Sequence, residues 1–248
     1  MASQSASDDS GRELAIEVKG LTKSYGRTQV LRGLDLKVRW GEVIAILGPN
    51  GSGKTTLIKA LATLTRPDGG TIRIANMSTS RSGERIRRVI GVVTHDSLLY
   101  PDLTGYENLS FYARMFRLDS IDERVRTVTE KLGMTSRLDQ KVGTLSHGMQ
   151  KRFSIARALL HDPLVLIMDE PDSGLDQEAL ALLDAVITDR ETPVRTVLMT
   201  THNLERGLAL ADRVAILSGG RIAHEESRKS TATAEMREAY FRYTGVSE

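Results

Sequence analysis

Short runs of hydrophobic residues recur along the chain and are separated by segments with helical spacing. In Leu14–Val18 and Leu34–Val38, apolar and polar residues alternate, which is typical of strands buried on one face. Val43–Leu47 is apolar throughout, as in a strand covered on both faces, and a helical pattern follows over Lys54–Leu64. Further strand-like runs are Thr71–Ala75, Val89–Val93, Leu164–Met168, Thr196–Thr200 and Arg213–Leu217.

From about residue 96 to residue 157 the strand-like runs stop, and apolar residues recur at helical intervals. Tyr106, Leu109 and Tyr112 form one such series, and Ile121 and Val125 begin another. Strands that alternate with helices favour a mostly parallel sheet with helices on its faces. The pattern therefore predicts an α/β fold in which a helical segment is inserted between two strand-containing parts.

Composition narrows the classes of protein that this pattern fits. The 248 residues carry a formal net charge of +2, which gives no reason to expect a nucleic-acid partner. There are no cysteines, so disulfides and thiolate metal sites are excluded, and such a chain suits the cytosol. No apolar run approaches the ~18 residues that span a bilayer, so we expect no direct membrane insertion.

The first residues of the chain are polar and acidic. They lack the basic and apolar regions of a secretory signal. We therefore expect a disordered tail over residues 1–12 and one folded domain over residues 13–248. Any membrane role is expected to come through a partner chain.

A glycine-rich motif follows the apolar run Val43–Leu47 directly. It matches G-x-x-x-x-G-K-[ST], in which backbone N–H groups and a helix start point at phosphate oxygens. Lys54 would reach the β- and γ-phosphates of ATP, and the Thr55 hydroxyl would ligate Mg²⁺. The dinucleotide spacing G-x-G-x-x-G is absent. The predicted ATP-binding residues of this phosphate loop are Gly48, Pro49, Asn50, Gly51, Ser52, Gly53, Lys54, Thr55 and Thr56.

Two acids end a second apolar run, Leu164–Met168. A parallel strand delivers such residues to the sheet edge where ligands bind, which is also where the phosphate loop is expected. Asp169 would hold Mg²⁺ through water, and Glu170 is placed to polarise the attacking water as a general base. An acidic turn after a strand is the plain alternative, and the phosphate loop upstream argues against it.

The residues between and around these sites resemble one family of ATPases. Leu145-Ser-His-Gly-Met-Gln-Lys-Arg152 resembles the signature motif LSGGQ of ABC ATPases, and Ser173–Asp176 resembles their D-loop. His202 resembles their switch histidine, and Tyr25 resembles the aromatic residue that stacks on adenine. The motifs keep the family's order over roughly residues 13–225, so the chain is similar to an ABC transporter ATP-binding subunit. Taken alone, Tyr25 also fits an ordinary packed aromatic residue.

The resemblance implies a specific fold. It is the phosphate-loop NTPase fold of an ABC cassette, with an antiparallel β part beside the mostly parallel sheet. A RecA-like core would cover residues 13–95 and 158–248. A helical subdomain carrying the signature motif would cover residues 96–157.

The resemblance also implies a mechanism and partners. Two cassettes would form a homodimer head to tail, with Ser146 and Gly148 of one copy on the γ-phosphate held by Lys54 of the other. Asp176 would join the ATP contacts, while His202 would orient the γ-phosphate and the attacking water. Integral membrane transporter subunits would be the other partners, so the chain is expected in the cytoplasm at the inner face of the cell membrane. Ser146 also fits a helix N-cap.

Two motifs depart from the family's pattern. His95 stands at the Q-loop position, where glutamine usually touches Mg²⁺, and histidine is a poor ligand for that ion. In the signature motif His147 replaces glycine and Met149 replaces glutamine, whereas Ser146 and Gly148 are retained. We expect the Q-loop still to face the membrane partner, and ATP turnover to be slow.

The stretch Thr94–Tyr112 resembles haem-exporter ATP-binding subunits of the cytochrome c maturation system. The C-terminal residues Met236–Gly245 resemble the ending of such subunits and of drug or polysaccharide exporters. We therefore predict haem export, with an ABC-2 type drug, lipid or polysaccharide exporter as the alternative. No Cys-x-x-Cys-His is present, so the cargo would be handled by membrane partners.

Two other classes share the phosphate loop. A cassette ATPase of DNA repair or translation usually has two cassettes, a coiled-coil insertion or a basic surface, none of which this sequence has. A small-molecule kinase would leave Leu145–Arg152 and Ser173–Asp176 unexplained. The sequence therefore favours a transporter motor.

Overall fold

The computed structural model describes residues 13–189, 194–227 and 233–245. The predicted disordered tail, residues 1–12, lies outside the described residues. Ten strands and eight helices make up the described part of the chain, and the strands form two sheets.

The smaller sheet is antiparallel and has four strands in the order β2-β1-β4-β5. Its longest strands, β1 and β2, form a hairpin whose turn contains Gly26, a residue with a positive φ of 58° that glycine adopts without strain. The strands are β1 (Leu14–Tyr25), β2 (Thr28–Arg39), β4 (Gly69–Ile74) and β5 (Met77–Ser78).

The larger sheet has six strands in the order β10-β9-β3-β8-β7-β6. All neighbouring pairs are parallel except the edge pair β9 and β10, which is antiparallel. The strands are β3 (Val43–Leu47), β6 (Ile90–Val93), β7 (Val165–Asp169), β8 (Thr196–Thr201), β9 (Arg213–Ser218) and β10 (Arg221–Ser227).

Helices cover both faces of the larger sheet, as expected for parallel strands. The helices are α1 (Lys54–Leu61), α2 (Gly83–Arg87), α3 (Gly105–Met115), α4 (Ile121–Lys131), α5 (His147–Leu159), α6 (Gln177–Thr188), α7 (Leu204–Leu210) and α8 (Thr233–Thr244). Between α4 and α5 lie two short 3₁₀ turns, at Thr135–Arg137 and Val142–Thr144.

Two hydrophobic cores lie on opposite faces of the larger sheet. Ile44 and Ile46 of β3 point into the core shared with α1 and the antiparallel sheet. Val43, Ala45 and Leu47 point the other way, into the core shared with α3 to α8. Because β3 is buried on both faces, its sequence is apolar at every position.

The helical segment packs on the second core through close helix contacts. At Gly105, the first residue of α3, an added Cβ would lie 2.4 Å from the Phe153 ring on α5, so only glycine fits there. Helix α5 also packs on β6. The predicted boundary at residue 157 falls inside α5, which therefore bridges the helical segment and the sheet. The division into subdomains remains a prediction.

Candidate active site

The carboxyl ends of four neighbouring strands meet at one edge of the larger sheet. The phosphate loop follows β3, His95 follows β6, Glu170 follows β7 and His202 follows β8. These strands run parallel to one another, so their ends lie side by side. The arrangement is the one in which open α/β sheets bind ligands.

The phosphate loop wraps closely around its own backbone. A Cβ on Gly48 would lie 2.3 Å from the Leu217 carbonyl oxygen and 2.8 Å from the Ser52 hydroxyl, so no side chain fits at this position. The Ser52 hydroxyl is buried and has no hydrogen-bond partner among the described residues. Since a buried hydroxyl without a partner is costly, the loop fits an acceptor such as a phosphate oxygen.

Lys54 begins α1 and is almost fully buried, with 6% of its side chain exposed. Its ammonium group donates to the carbonyl oxygens of Gly48 (2.7 Å) and Pro49 (3.2 Å). The same nitrogen lies 3.7 Å from the Glu170 carboxylate. Thr55, the next residue of the helix, is exposed.

Asp169, the last residue of β7, and Glu170 after it are held by Thr200, the last residue but one of β8. The Thr200 hydroxyl donates to the Asp169 carboxylate at 2.7 Å, and the backbone N–H of Glu170 donates to the Thr200 hydroxyl at 3.1 Å. Asp169 is buried, whereas Glu170 is partly exposed. One threonine therefore fixes both acids, and this role was not found from the sequence, where Thr200 is only the end of a strand.

The predicted catalytic residues Lys54, Glu170 and His202 come together. The Glu170 carboxylate lies 3.7 Å from the Lys54 ammonium through one oxygen and 3.7 Å from His202 Nδ1 through the other. The His202 side chain is 61% exposed and therefore faces the open side of the site. Residues separated by up to about 150 positions thus form one cluster at the sheet edge.

His95 lies in the loop after β6 and is exposed. Before it, Thr94 is buried, and its carbonyl oxygen accepts a hydrogen bond from the Lys151 ammonium at 3.4 Å. Burial lowers the pKa of Lys151, and the carboxylates of Asp169 and Glu170 are among the groups that oppose this shift. Lys151 is a second residue that the sequence did not single out, although it lies inside the signature motif.

The signature and D-loop residues start two helices. The Ser146 hydroxyl accepts from the Met149 N–H at 3.3 Å and caps α5, and the Asp176 carboxylate accepts from the Ala179 N–H at 2.8 Å and caps α6. A Cβ on Gly148 would lie 2.9 Å from the Gly174 carbonyl oxygen, so the two motifs touch. In the described part of the chain, neither Ser146 nor Asp176 bonds to Lys54 or Glu170.

Tyr25 ends β1 and is 49% exposed. The Lys23 ammonium lies 5.5 Å from the centre of its ring. Its exposure speaks against the alternative of an ordinary packed aromatic residue and leaves about half of the residue accessible to solvent.

The residues present fit a nucleotide better than a metal ion held by protein alone. Over residues 13–189, 194–227 and 233–245, no group of three or more histidine, aspartate and glutamate side chains is arranged to hold a metal ion. Thr55 and Asp169 offer two oxygens, which suits Mg²⁺ because that ion usually takes few protein ligands together with phosphates and water.

The fold and this site together define a nucleotide-hydrolysing cassette. Residues 31–173 match the family described as "ABC transporter". The chain belongs to the ABC transporter family. The predicted fold class is confirmed. The predictions of an ABC transporter ATP-binding subunit and of ATP hydrolysis coupled to transport are also confirmed.

Two relatives show how far the likeness extends. The chain is 38% identical over 220 residues to "Uncharacterized ABC transporter ATP-binding protein YdbJ" of Bacillus subtilis (strain 168), covering 88% of this chain and 71% of that protein. It is 38% identical over 208 residues to "Nod factor export ATP-binding protein I" of Ralstonia nicotianae, covering 83% of this chain and 65% of that protein.

Solved structures give the same picture. One is a dimeric post-hydrolysis state of the ATP-binding cassette MJ0796 bound to ADP and Pi, with a TM-score of 0.78 and 28% identity over 87% of this chain and 99% of that chain. Another is an ATP-binding subunit of an ABC transporter, with a TM-score of 0.81 and 28% identity over 94% of this chain and 95% of that chain.

Proposed function

We propose that this chain is the ATP-hydrolysing motor subunit of an exporter whose membrane passage is formed by separate transmembrane subunits. The observation that carries the proposal is the cluster of Lys54, Glu170 and His202 at the edge where β3, β7 and β8 end. Phosphoryl transfer needs mainly positioning and neutralisation of charge, and these three side chains supply both.

Each residue has a defined task in this proposal. The phosphate loop, Gly48 to Thr56, holds the phosphates of ATP, and the exposed ring of Tyr25 stacks on the adenine. Lys54 exchanges its bonds to loop carbonyl oxygens for bonds to the β- and γ-phosphates. Mg²⁺ held by Thr55 and Asp169 would supply further neutralisation of phosphate charge.

Glu170 takes the proton of the attacking water, and His202 orients that water and the γ-phosphate. The left-handed backbone of Glu170, with φ of 44°, follows the last residue of β7, and the carboxylate reaches both Lys54 and His202. A general base placed in this way typically accelerates a reaction by about 10²–10⁴-fold.

A second copy completes the site. Ser146 and His147 are exposed at the start of α5, where the backbone N–H groups and the helix dipole favour a negative charge. These residues and Asp176 are exposed, and none of them bonds to Lys54 among the described residues, so they are accessible to the ATP of a partner copy. The solved cassette MJ0796 is dimeric, which supports this arrangement.

The proposal also concerns which substrate the transporter exports. The resemblance of Thr94–Tyr112 to haem-exporter subunits remains a prediction, whereas the relative from Ralstonia nicotianae is named for Nod factor export. That name favours the alternative, an ABC-2 type drug, lipid or polysaccharide exporter. No helix in the described ranges is long and apolar enough to cross a bilayer. We propose that the chain is located in the cytoplasm, at the inner face of the membrane.

Substitution of Glu170 by glutamine tests the ATPase mechanism. Glu170→Gln should keep ATP binding, lower the hydrolysis rate by at least about 10²-fold and trap an ATP-bound dimer. The measurements are phosphate release, ATP affinity and elution volume with and without ATP. Glu178→Gln, an exposed acid in the first turn of α6, is the matched control and should behave as wild type. Full turnover by a monomeric Glu170→Gln variant would contradict the assignment.

The cargo is tested separately in the native host. Holocytochrome c is measured by haem staining with wild-type or Glu170→Gln protein as the sole copy. Loss of holocytochrome while apocytochrome is still made would support haem export. Unchanged cytochromes would favour the ABC-2 type exporter and leave the ATPase mechanism intact.

A further inference from the structure

We propose that Tyr240 on the C-terminal helix α8 is a positioning residue that holds the His202 backbone so that the imidazole faces Glu170. The Tyr240 hydroxyl donates to the His202 carbonyl oxygen at 3.3 Å. The inference rests on the proposed catalytic role of His202 and adds a residue from a helix that otherwise lies outside the site.

His202 lies where regular structure leaves its backbone little support. Strand β8 ends at Thr201 and helix α7 begins at Leu204, so His202 belongs to neither ladder of hydrogen bonds. The two neighbours of His202 in the sequence are joined by a hydrogen bond, in which the Asn203 N–H donates to the Thr201 hydroxyl at 3.0 Å. The Tyr240 hydroxyl supplies a contact from a distant part of the sequence.

Helix α8 is held in place by contacts outside the site, so it can hold the His202 backbone in a fixed position. Met236, Ala239 and Tyr240 are buried in the core that also contains Leu204 of α7. At the far end of α8, the Ser218 hydroxyl of β9 donates to the Tyr243 carbonyl oxygen at 2.9 Å. The helix is therefore fixed to the central sheet as well as to α7.

A second contact between α8 and α7 contributes less. The Arg237 guanidinium lies 2.8 Å from the Glu205 carboxylate, but their side chains are 50% and 65% exposed. Exposed ion pairs of this kind are weak and screened by salt. The Tyr240 hydroxyl is partly buried, on a residue that is 9% exposed, and it is the contact that reaches the His202 backbone itself.

The chemistry of the contact suits this task. A tyrosine hydroxyl keeps its proton at neutral pH and can donate, and burial raises the pKa of Tyr240 further. His202 Nδ1 is 3.7 Å from the Glu170 carboxylate, just beyond hydrogen-bond length. Because a misplacement of about 1 Å can cost up to about 10²-fold in rate, a small backbone shift at His202 is enough to change turnover.

Tyr240→Phe tests the proposal because it removes the hydroxyl and keeps the ring in the core. We measure kcat and KM for ATP hydrolysis by the full chain, together with ATP affinity and the unfolding temperature. Loss of one hydrogen bond should lower kcat about two- to ten-fold and leave KM nearly unchanged. Tyr243→Phe is the matched control, since it removes a hydroxyl from the more exposed side of the same helix and should leave kcat unchanged.

His202→Ala separates this inference from the proposed function. If Tyr240 acts through His202, the Tyr240→Phe effect on kcat should disappear in the His202→Ala background, measured in single turnover. Suppose that His202→Ala strongly lowers the single-turnover rate but Tyr240→Phe matches wild type, or that the Tyr240→Phe effect persists on the residual rate of His202→Ala. In either case the positioning role is wrong and the ATPase mechanism stands. If His202→Ala keeps full turnover, the proposed role of His202 fails and the inference fails with it.

Discussion

At the scale of single residues, Lys54 shows how the phosphate loop is prepared for its ligand. The ammonium group is buried and is already satisfied by two carbonyl oxygens of the loop. Phosphate oxygens, which carry charge, are stronger acceptors than carbonyls. We expect Lys54→Ala to lower ATP affinity roughly 10²-fold, since charged hydrogen bonds contribute about 1.5–3 kcal/mol each.

The affinity is measured by titration with a fluorescent ATP analogue. Lys59→Ala is the matched control, because Lys59 is an exposed lysine of the same helix, one and a half turns from Lys54. The control should bind ATP as wild type does. Tight binding by the Lys54→Ala protein would remove Lys54 from the site.

His161 makes stability depend on pH. Its ring stacks on Phe116 at 4.1 Å, and Nε2 lies 2.9 Å from the Ile90 carbonyl oxygen, whereas Nδ1 is buried with no partner among the described residues. Burial, the largest effect, lowers the pKa of His161. The folded state therefore holds a neutral ring, while the unfolded state takes up a proton below pH ~6.5.

The sign of the effect follows from this proton balance. Since the unfolded state binds more protons, the free energy of unfolding must fall as the pH drops below ~6.5. We expect this fall to be shallower in His161→Gln than in wild type, measured by urea unfolding at pH 7 and pH 5. His95→Gln, which changes an exposed histidine, is the control and should keep the wild-type slope. An unchanged slope in His161→Gln would show that His161 is not the group responsible.

At the scale of elements, helix α3 is fixed at its start by reciprocal capping. The Thr104 hydroxyl accepts from the Glu107 N–H at 3.1 Å, and the Glu107 carboxylate accepts from the Thr104 N–H at 2.8 Å. Those bonds lower the pKa of the Glu107 carboxyl. Thr104→Ala should cost about 1 kcal/mol and lower the unfolding temperature by roughly 2–4 °C.

Differential scanning calorimetry of Thr104→Ala measures this cost. Thr127→Ala is the comparison, because Thr127 is exposed within α4 and its hydroxyl donates to the Glu123 carbonyl oxygen of its own helix. Its substitution should change the unfolding temperature little. Equal effects of both substitutions would argue that capping does not stabilise α3.

The elements that could be predicted from the sequence are those with a clear pattern of hydrophobic residues. Val43–Leu47 is a strand with the predicted bounds, because burial on both faces makes every position apolar. Strand β10, Arg221–Ser227, was missed because this edge strand is only partly buried and its sequence alternates weakly. Helix α5 begins at His147, because the Ser146 hydroxyl accepts from the Met149 N–H and caps the helix there.

The site was predictable where residues lie inside motifs or directly after strands, as Lys54, Glu170 and His202 do. Thr200 and Tyr240 were not, because their roles depend on which strands and helices become neighbours in space. Thr200 is the last residue but one of β8, and only the pairing of β7 with β8 brings it to Asp169. Tertiary contacts of this kind produce no recognisable spacing of residues along the sequence.

At the scale of the whole molecule, the proposed site is divided between two copies. The start of α5 carries Ser146 on the surface, and no hydrogen bond joins Ser146 to Lys54 among the described residues of the same chain. In a head-to-tail dimer each site would combine the phosphate loop of one copy with the signature motif of the other. Two inactive variants should then complement each other when mixed, because a mixed dimer keeps one intact site.

The complementing pair is Lys54→Ala and Ser146→Arg, each of which should be inactive alone. In the mixed dimer one site carries both substitutions and the other carries neither, so an equimolar mixture should recover roughly a quarter of wild-type ATPase activity if the copies pair at random and the two sites act independently. Mixing Lys54→Ala with Glu170→Gln is the matched control. Both of those residues belong to the same side of the site, so each site of the mixed dimer carries one substitution and no recovery is expected. Absence of recovery in the complementing pair would mean that the site is complete within one chain. Recovery in the control would mean that Lys54 and Glu170 do not belong to the same side of one site.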